Sequence, residues 1–278
     1  MKHDKDHIDF EKDFFGKTNI HYSKSKEDVW AEMESKLSEK ASKKVLKFDF
    51  NKVVKYGIAA SLIIGLGLLS FLRFYSVSII CPNGQHSSVF LPDSSKVTLN
   101  AGSNLAYHPY WWRFNRTINF EGEAFFEVKK GKKFIVESEK GSTTVLGTSF
   151  NIYSRNDEYR VYCISGVVKV ETINKQTTVL MKHDYSIVNQ HDKIVKLKGE
   201  KDTKNAVAWI KNVFVFTSMP LKLIYEEIER QYDIEIEGKE YLKGISTVNP
   251  TRASSPEEII NIIGKPFGVK CIKISDKV

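Results

Sequence analysis

The sequence predicts a mainly β protein with a small α/β tail, held by a single transmembrane helix, and three observations carry that prediction. Tyr56–Leu72 (YGIAASLIIGLGLLSFL) runs 17 residues without a charge. From about Val89 to Val195 apolar residues alternate at period two, in short stretches separated by glycine and Pro-Asp turns. After Lys204 a strand–helix–strand pattern occurs twice. The length of 278 residues suits one large domain or two modest ones. A charged content of 27% with 12% aromatic residues excludes a wholly disordered chain. A mean hydropathy of −0.31 excludes a polytopic transporter, but not one span, which such an average dilutes. Three cysteines are too few for a disulfide scaffold. Cys163 and Cys271 fall within strands as small buried hydrophobes, and no structural disulfide is favoured.

The head, residues 1–52, is rich in alternating charge. Lys24–Ser42 reads as a helix, with Ser25 capping it ahead of Asp28. Val29, Met33 and Leu37 recur every four residues with Trp30 beside them. One apolar stripe on a head too small for its own core must rest on something: a membrane surface, or a cytoplasmic partner to which the helix is offered.

The uncharged run covers about 26 Å at helical rise. Val53, Val54 and Phe74 stretch it toward the roughly 30 Å of hydrocarbon in a bilayer, giving a transmembrane helix over 53–75. Some 52 largely polar residues precede it, so it reads as an uncleaved anchor rather than a signal peptide. Lys43, Lys44, Lys47, Lys52 and Lys55 lie upstream, whereas Arg73 is followed by nothing basic until Lys96. That bias places the N-terminus in the cytoplasm and about 200 residues outside. Gly57, Ser61 and Gly65 repeat at four residues along one face, a small-residue pattern able to pack a second helix.

In the exported part, Val97/Leu99, Ile118/Phe120, Ala124/Phe126/Val128, Phe134/Val136, Tyr159/Val161/Cys163 and Val168/Val170 alternate as strands do. The spacing predicts an all-β domain over 76–204, a sandwich or a solenoid, without choosing between them. An α/β module over 205–278 follows. Its first unit is strand Val213–Thr217, helix Pro220–Tyr232 and strand Asp233–Glu237. Its second is strand Gly244–Val248, helix Pro256–Gly264 with Ser255 as cap, and strand Val269–Ile274.

Charge and chemistry narrow the function. The net +8 divides into +2 over residues 1–55, +7 over 56–212 and −1 over 213–278. The excess lies mostly in exported loops, Lys129–Lys133 and Lys193–Lys204, without a DNA-reading motif, so nucleic acid is not an expected partner. His86, His108, His183 and His191 lack ligand spacing, so no metal is expected; no nucleophile elbow, P-loop or zincin motif occurs, so no enzyme and no cofactor are expected either. Glu121, Glu123 and Glu127 alternate against the apolar set Ala124, Phe126 and Val128 and are expected to face outward. Should Glu121 and Glu123 instead pair over a cleft lined by Trp111 and Trp112, the chain would be a membrane-anchored glycan-binding or glycan-cleaving β protein.

The run Val89–Thr172 resembles the FecR family of membrane-bound anti-sigma factors. Its blocks stand here as Leu91–Ser95, Leu99–Ser103, Arg116, Gly122–Val128, Phe134–Val136, Val145–Ile152 and Gly166–Val170. Ser94 stands where the family's turn glycine is usual, and Lys133 where proline precedes Phe134. Ala208-Trp209, Phe214–Phe216, Pro220-Leu221 and Tyr232-Asp233 extend the likeness to the C-terminal module of Bacteroidetes-type members. The resemblance implies an inner-membrane protein that holds an extracytoplasmic-function sigma factor in the cytoplasm, here through Val29, Trp30, Met33 and Leu37. It also implies a periplasmic part that reads the N-terminal signalling domain of a TonB-dependent outer-membrane transporter for iron or glycan uptake. A secretin/TonB short N-terminal-like module would supply that contact at edge strands Val213, Phe214, Val215, Phe216, Thr217 and Val269, Cys271, Ile272, Ile274. A membrane protease cutting near residues 60–85, where Gly65 and Gly67 weaken the helix, would pass the signal on.

Overall fold

The structure, a computed structural model, describes residues 16, 23–40, 49–189, 191–252, 255–269 and 272. It falls into two units, 1–62 and 63–278, whose boundary lies within one long helix. In the first unit, α1 (Lys26–Lys40) opens on a reciprocal cap. The Asp28 N–H donates to Ser25 Oγ (3.1 Å), while the Ser25 hydroxyl (2.7 Å) and N–H (3.3 Å) donate to Asp28 Oδ2. Glu32 accepts from Lys24 (2.6 Å) and Lys36 (2.8 Å) on the polar side. α2 (Phe50–Phe74) has 25 residues, a mean hydropathy of 1.9 in its most apolar window, and no buried residue. Its length is about 37 Å, enough to cross a membrane once, and it starts three residues before the expected Val53.

The second unit carries thirteen strands in one sheet. They are β1 (Val77–Cys81), β2 (Ser87–Phe90), β3 (Lys96–Leu99), β4 (Ser103–Tyr107), β5 (Arg116–Glu127), β6 (Phe134–Ser138), β7 (Gly141–Val145), β8 (Ser149–Arg155), β9 (Glu158–Ser165), β10 (Val167–Thr172), β11 (Thr177–Met181), β12 (Asp184–Val188) and β13 (Ile194–Lys198). Their order is β11-β10-β7-β6-β5-β8-β9-β12-β13, with β4–β1 and β3–β2 branching from β5. The branch exists because β5 serves two half-sheets. Its first half pairs with β4 and, in parallel, with β6; its second half pairs with β3 and β8. Gly122 stands between the halves at φ +113°, and a Cβ there would lie 2.7 Å from Ser103 Cα. Only glycine allows that bend and approach. The sheet then curls until β11 lies beside β9, β12 and β13, where Lys196 Nζ donates to the Val179 carbonyl (2.7 Å). The result is a nearly closed, barrel-like sheet.

The alternation read from the sequence lines the interior of this barrel: Val97, Leu99, Ile118, Phe120, Ala124, Phe126, Phe134, Val136, Tyr159, Val161, Cys163, Val168 and Val170 are all buried in one cluster. Phe126 stacks on Phe150 at 5.0 Å and meets Phe120 edge-on at 5.5 Å. The solenoid expectation is corrected, since coils of a solenoid stack in parallel. Among the described residues only β5–β6 is parallel in this sheet.

The tail comprises α3 (Glu200–Asn205), a short turn Ala208–Lys211, β14 (Phe214–Pro220), α4 (Leu221–Tyr232), β15 (Ile245–Thr251) and α5 (Pro256–Gly264). β14 and β15 pair antiparallel, and Phe216, Leu221, Ile224, Tyr225, Ile228, Val248, Ile259, Ile260 and Ile263 form a second small core. Ser255 caps α5 as expected, its Oγ accepting from the Glu258 N–H (3.2 Å). The two complete strand–helix–strand units are corrected. Asp233–Glu237 is no strand: Asp233 is left-handed (φ 52°), and the Ile236 N–H donates back to Glu229 Oε1 (2.7 Å). Of the final strand, Val269 and Ile272 lie in no strand, and Cys271 and Ile274 fall outside the described residues.

Candidate functional site

Two polar knots hold the residues that the conspicuous sequence blocks contribute. In the first, the turn Leu91–Ser95 presents Asp93, whose carboxylate accepts from the Ser95 N–H (3.0 Å) and hydroxyl (2.8 Å) and pairs with Arg116. Arg116 also donates to the carbonyls of Lys132 (2.6 Å) and Lys129 (3.2 Å), and lies over the Phe134 ring (5.2 Å). Its side chain is 9% exposed, so removing either partner strands a buried charge.

The second knot joins the barrel to α4. Glu123 points away from the barrel core and accepts from Asn100 Nδ2 (2.8 Å) and Asn151 Nδ2 (2.9 Å). From α4, Gln231 Nε2 donates to Asn100 Oδ1 (2.6 Å) and Glu227 Oε1 (2.8 Å). Glu227 Oε2 accepts from Arg155 (3.2 Å) and Arg230 (2.9 Å), and Arg155 reaches on to the Ala101 carbonyl (2.5 Å) and Ser103 Oγ (3.1 Å). The Gly84 N–H donates to the Arg230 carbonyl (2.7 Å), and His86 Nε2 meets Gln231 Oε1 at 3.0 Å. Burial, reinforced by the Glu227 charge, pushes the Glu123 carboxyl up to about 7, against the opposing pull of Arg155 and the two asparagines. Burial likewise raises the Tyr153 phenol to about 12. Beside the knot lies a cavity of about 200 Å³, bordered by Arg160, Tyr162, Tyr185, Trp209 and the start of β14. Tyr162 and Tyr185 stack there at 5.2 Å.

The expected contact residues fall in separate places. Val29, Trp30, Met33 and Leu37 are together on α1, and all are exposed. Of the first expected edge, Phe216 is buried, Phe214 stacks on Tyr232 (5.8 Å), and Val213, Val215 and Thr217 border the cavity. Gly57 and Ser61 are exposed on α2 and Gly65 is partly covered. Cys81 and Cys163 are buried free thiols. The expected cleft pair Trp111 and Trp112 separates. Trp112 is buried edge-on to Tyr107 (5.5 Å) and Phe134 (5.8 Å), whereas Trp111 lies under Arg73 (5.3 Å). Glu121 is exposed and Glu123 is covered by α4, so the two do not flank a cleft. Among the described residues no group of three His, Cys, Asp or Glu side chains is placed to hold a metal.

Sequence reading missed Asn100, Asn151, Arg155, Glu227 and Gln231. The signal present was an asparagine between Phe150 and Ile152 in the buried middle of β8, at Asn151, and one in the turn at Asn100. A polar group in such a position needs a specific partner, and Glu123 is that partner.

Comparison with known proteins accords with this geometry. The family model described as FecR protein matches residues 78–169. No curated protein matches the sequence. Two crystal structures, each described as a putative anti-sigma factor from Parabacteroides distasonis ATCC 8503, are similar. One, at 2.50 Å resolution, is 28% identical with a TM-score of 0.66. The other, at 1.65 Å, is 27% identical with a TM-score of 0.61. Each match covers 72% of this chain and 95% of the other. The matched stretch contains β5, its bend at Gly122, the Arg116 knot and the barrel side of the Glu123 knot, and on that footing residues 78–169 of this chain belong to the FecR family.

Proposed function

We propose that the protein is a single-span anti-sigma factor. Its cytoplasmic head, residues 1–52, holds an extracytoplasmic-function sigma factor, and its exported region, 76–204 with 205–278, reads the signalling domain of a TonB-dependent outer-membrane transporter. The observation that carries this reading is α1. It is a capped helix with Trp30 62%, Met33 55% and Leu37 63% exposed beside Val29, and among the described residues of the head none is buried against them. Exposed aromatic and aliphatic groups on one small helix are what a partner's groove takes up. The long apolar α2 supports a membrane anchor, and the excess of lysine before it supports a cytoplasmic head. The two similar structures, described as anti-sigma factors, support the same class. Cleavage by a membrane protease near residues 60–85 releases the head with its cargo.

The test is retention of the co-expressed sigma factor in a pull-down on the full chain. Trp30→Ala with Met33→Ala should reduce retention at least about tenfold, the loss expected when two buried anchors are truncated. Unchanged retention would move the contact off α1.

A further inference from the structure

We propose that the loop His108–Asn115 is a membrane-docking surface, which seats the barrel on the bilayer face from which α2 emerges and takes the lipid headgroup layer as its ligand. The proposal rests on reading α2 as the anchor, and α2 itself sets the depth of the loop. Lys55 and Arg73 bracket the uncharged run. Along the helix axis they stand about 27 Å apart, close to the roughly 30 Å of hydrocarbon. Arg73 therefore marks the level at which acyl chains give way to headgroups.

Contacts fix the loop at that level. The Arg73 guanidinium lies 5.3 Å from the Trp111 ring centroid. The Tyr110 ring packs against Phe71 (6.1 Å) and Tyr75 (5.4 Å), and His108 Nδ1 lies 3.0 Å from the Tyr75 carbonyl oxygen. Phe71 is two residues deeper than Arg73, so Tyr110 rides at the acyl boundary. The loop is also stiff. Trp112 pins it to the barrel core, and the Phe114 and Asn115 N–H groups both donate to the Trp111 carbonyl (2.9 and 3.1 Å).

What this rigid loop leaves uncovered suits the interface. Phe114 is 71% exposed and Tyr110 55%, next to Phe74 at 68% on the helix end. Arg113 is exposed between them. Trp and Tyr concentrate where one end of a ring is apolar and the other wet. Arginine stems lie along apolar surface while the guanidinium meets phosphate. Two attachments, helix and loop, hold the barrel at one tilt on the membrane.

Nitroxide labels on the full chain in vesicles of phosphatidylcholine and phosphatidylglycerol test this, with the identically labelled unsubstituted protein as background. Leu66→Cys reports the middle of α2 and Phe114→Cys the loop, while free nitroxide in buffer sets the aqueous limit. Shielding by protein lowers collisions with both oxygen and a water-soluble nickel complex; lipid raises the first and lowers the second. At 114 the oxygen-to-nickel ratio should be several-fold above the aqueous limit, in the direction of position 66. A label at 66 in lipid with 114 at the aqueous limit overturns the proposal and leaves the anchor standing. Both positions at the aqueous limit overturn the anchor, and the proposal with it.

Discussion

Glu123 shows how one side chain couples the barrel to α4. Its carboxyl is raised from 4.5 to about 7 by burial and by Glu227, so the folded protein holds that proton more tightly than the unfolded chain does. Such a group supports folding fully below its unfolded value and progressively loses that support as pH rises from about 4.5 to about 7. Glu123→Gln removes the titration. In urea unfolding of residues 76–278, the wild-type midpoint should therefore fall relative to the variant's across that window. A constant difference between the two would contradict the assignment. The alternation through Glu123, Ala124, Phe125 and Phe126 places this carboxylate off the core, and there it sits. That α4 covers it is invisible locally, because Glu227 and Gln231 arrive about one hundred residues later.

At the level of elements, β5 decides the architecture, since it alone belongs to both half-sheets. Its bend depends on Gly122, where a Cβ would stand 2.4 Å from Ser103 Oγ at a φ of +113°. Gly122→Ala combines backbone strain with a clash against a neighbouring strand and should cost about 3 kcal/mol or more, measured by thermal unfolding of residues 76–278. A loss below about 1 kcal/mol would mean that the strand bends for another reason. Period-two alternation identified the barrel-lining residues because it is a local signal of one buried face. The same signal misled at Asp233–Glu237. Ile234 and Ile236 do pack on the small core, so alternation there reported burial correctly. The Glu229 carboxylate, accepting from the Ile236 N–H and from Lys239 (2.5 Å), folds the segment into a turn instead of a strand. Spacing also left sandwich and solenoid undecided, because strand partners are set by the bend and not by the period.

Across the whole molecule, averages concealed the organisation that local runs revealed. A hydropathy of −0.31 hides a 25-residue apolar helix, and a net charge of +8 hides +7 over residues 56–212 flanked by nearly neutral ends. In the proposed pathway the transporter's signalling domain adds to β14. Val215→Asp with Thr217→Asp, which places charge on that strand without entering the core, should then weaken binding of the isolated signalling domain at least about tenfold, while sigma-factor retention by the head stays unchanged. Unaltered affinity in the titration would move the contact onto the barrel. The junction at the end of α2 bears on how such an event travels. Only Tyr75 and Ser76 separate Phe74 from β1, and Tyr75 is held at both its N–H, by the Phe71 carbonyl (2.9 Å), and its carbonyl oxygen, by His108 (3.0 Å). A joint with so little slack transmits torque. Turning the barrel twists the helix as a crank turns its shaft, whereas a loose tether would pass on tension alone.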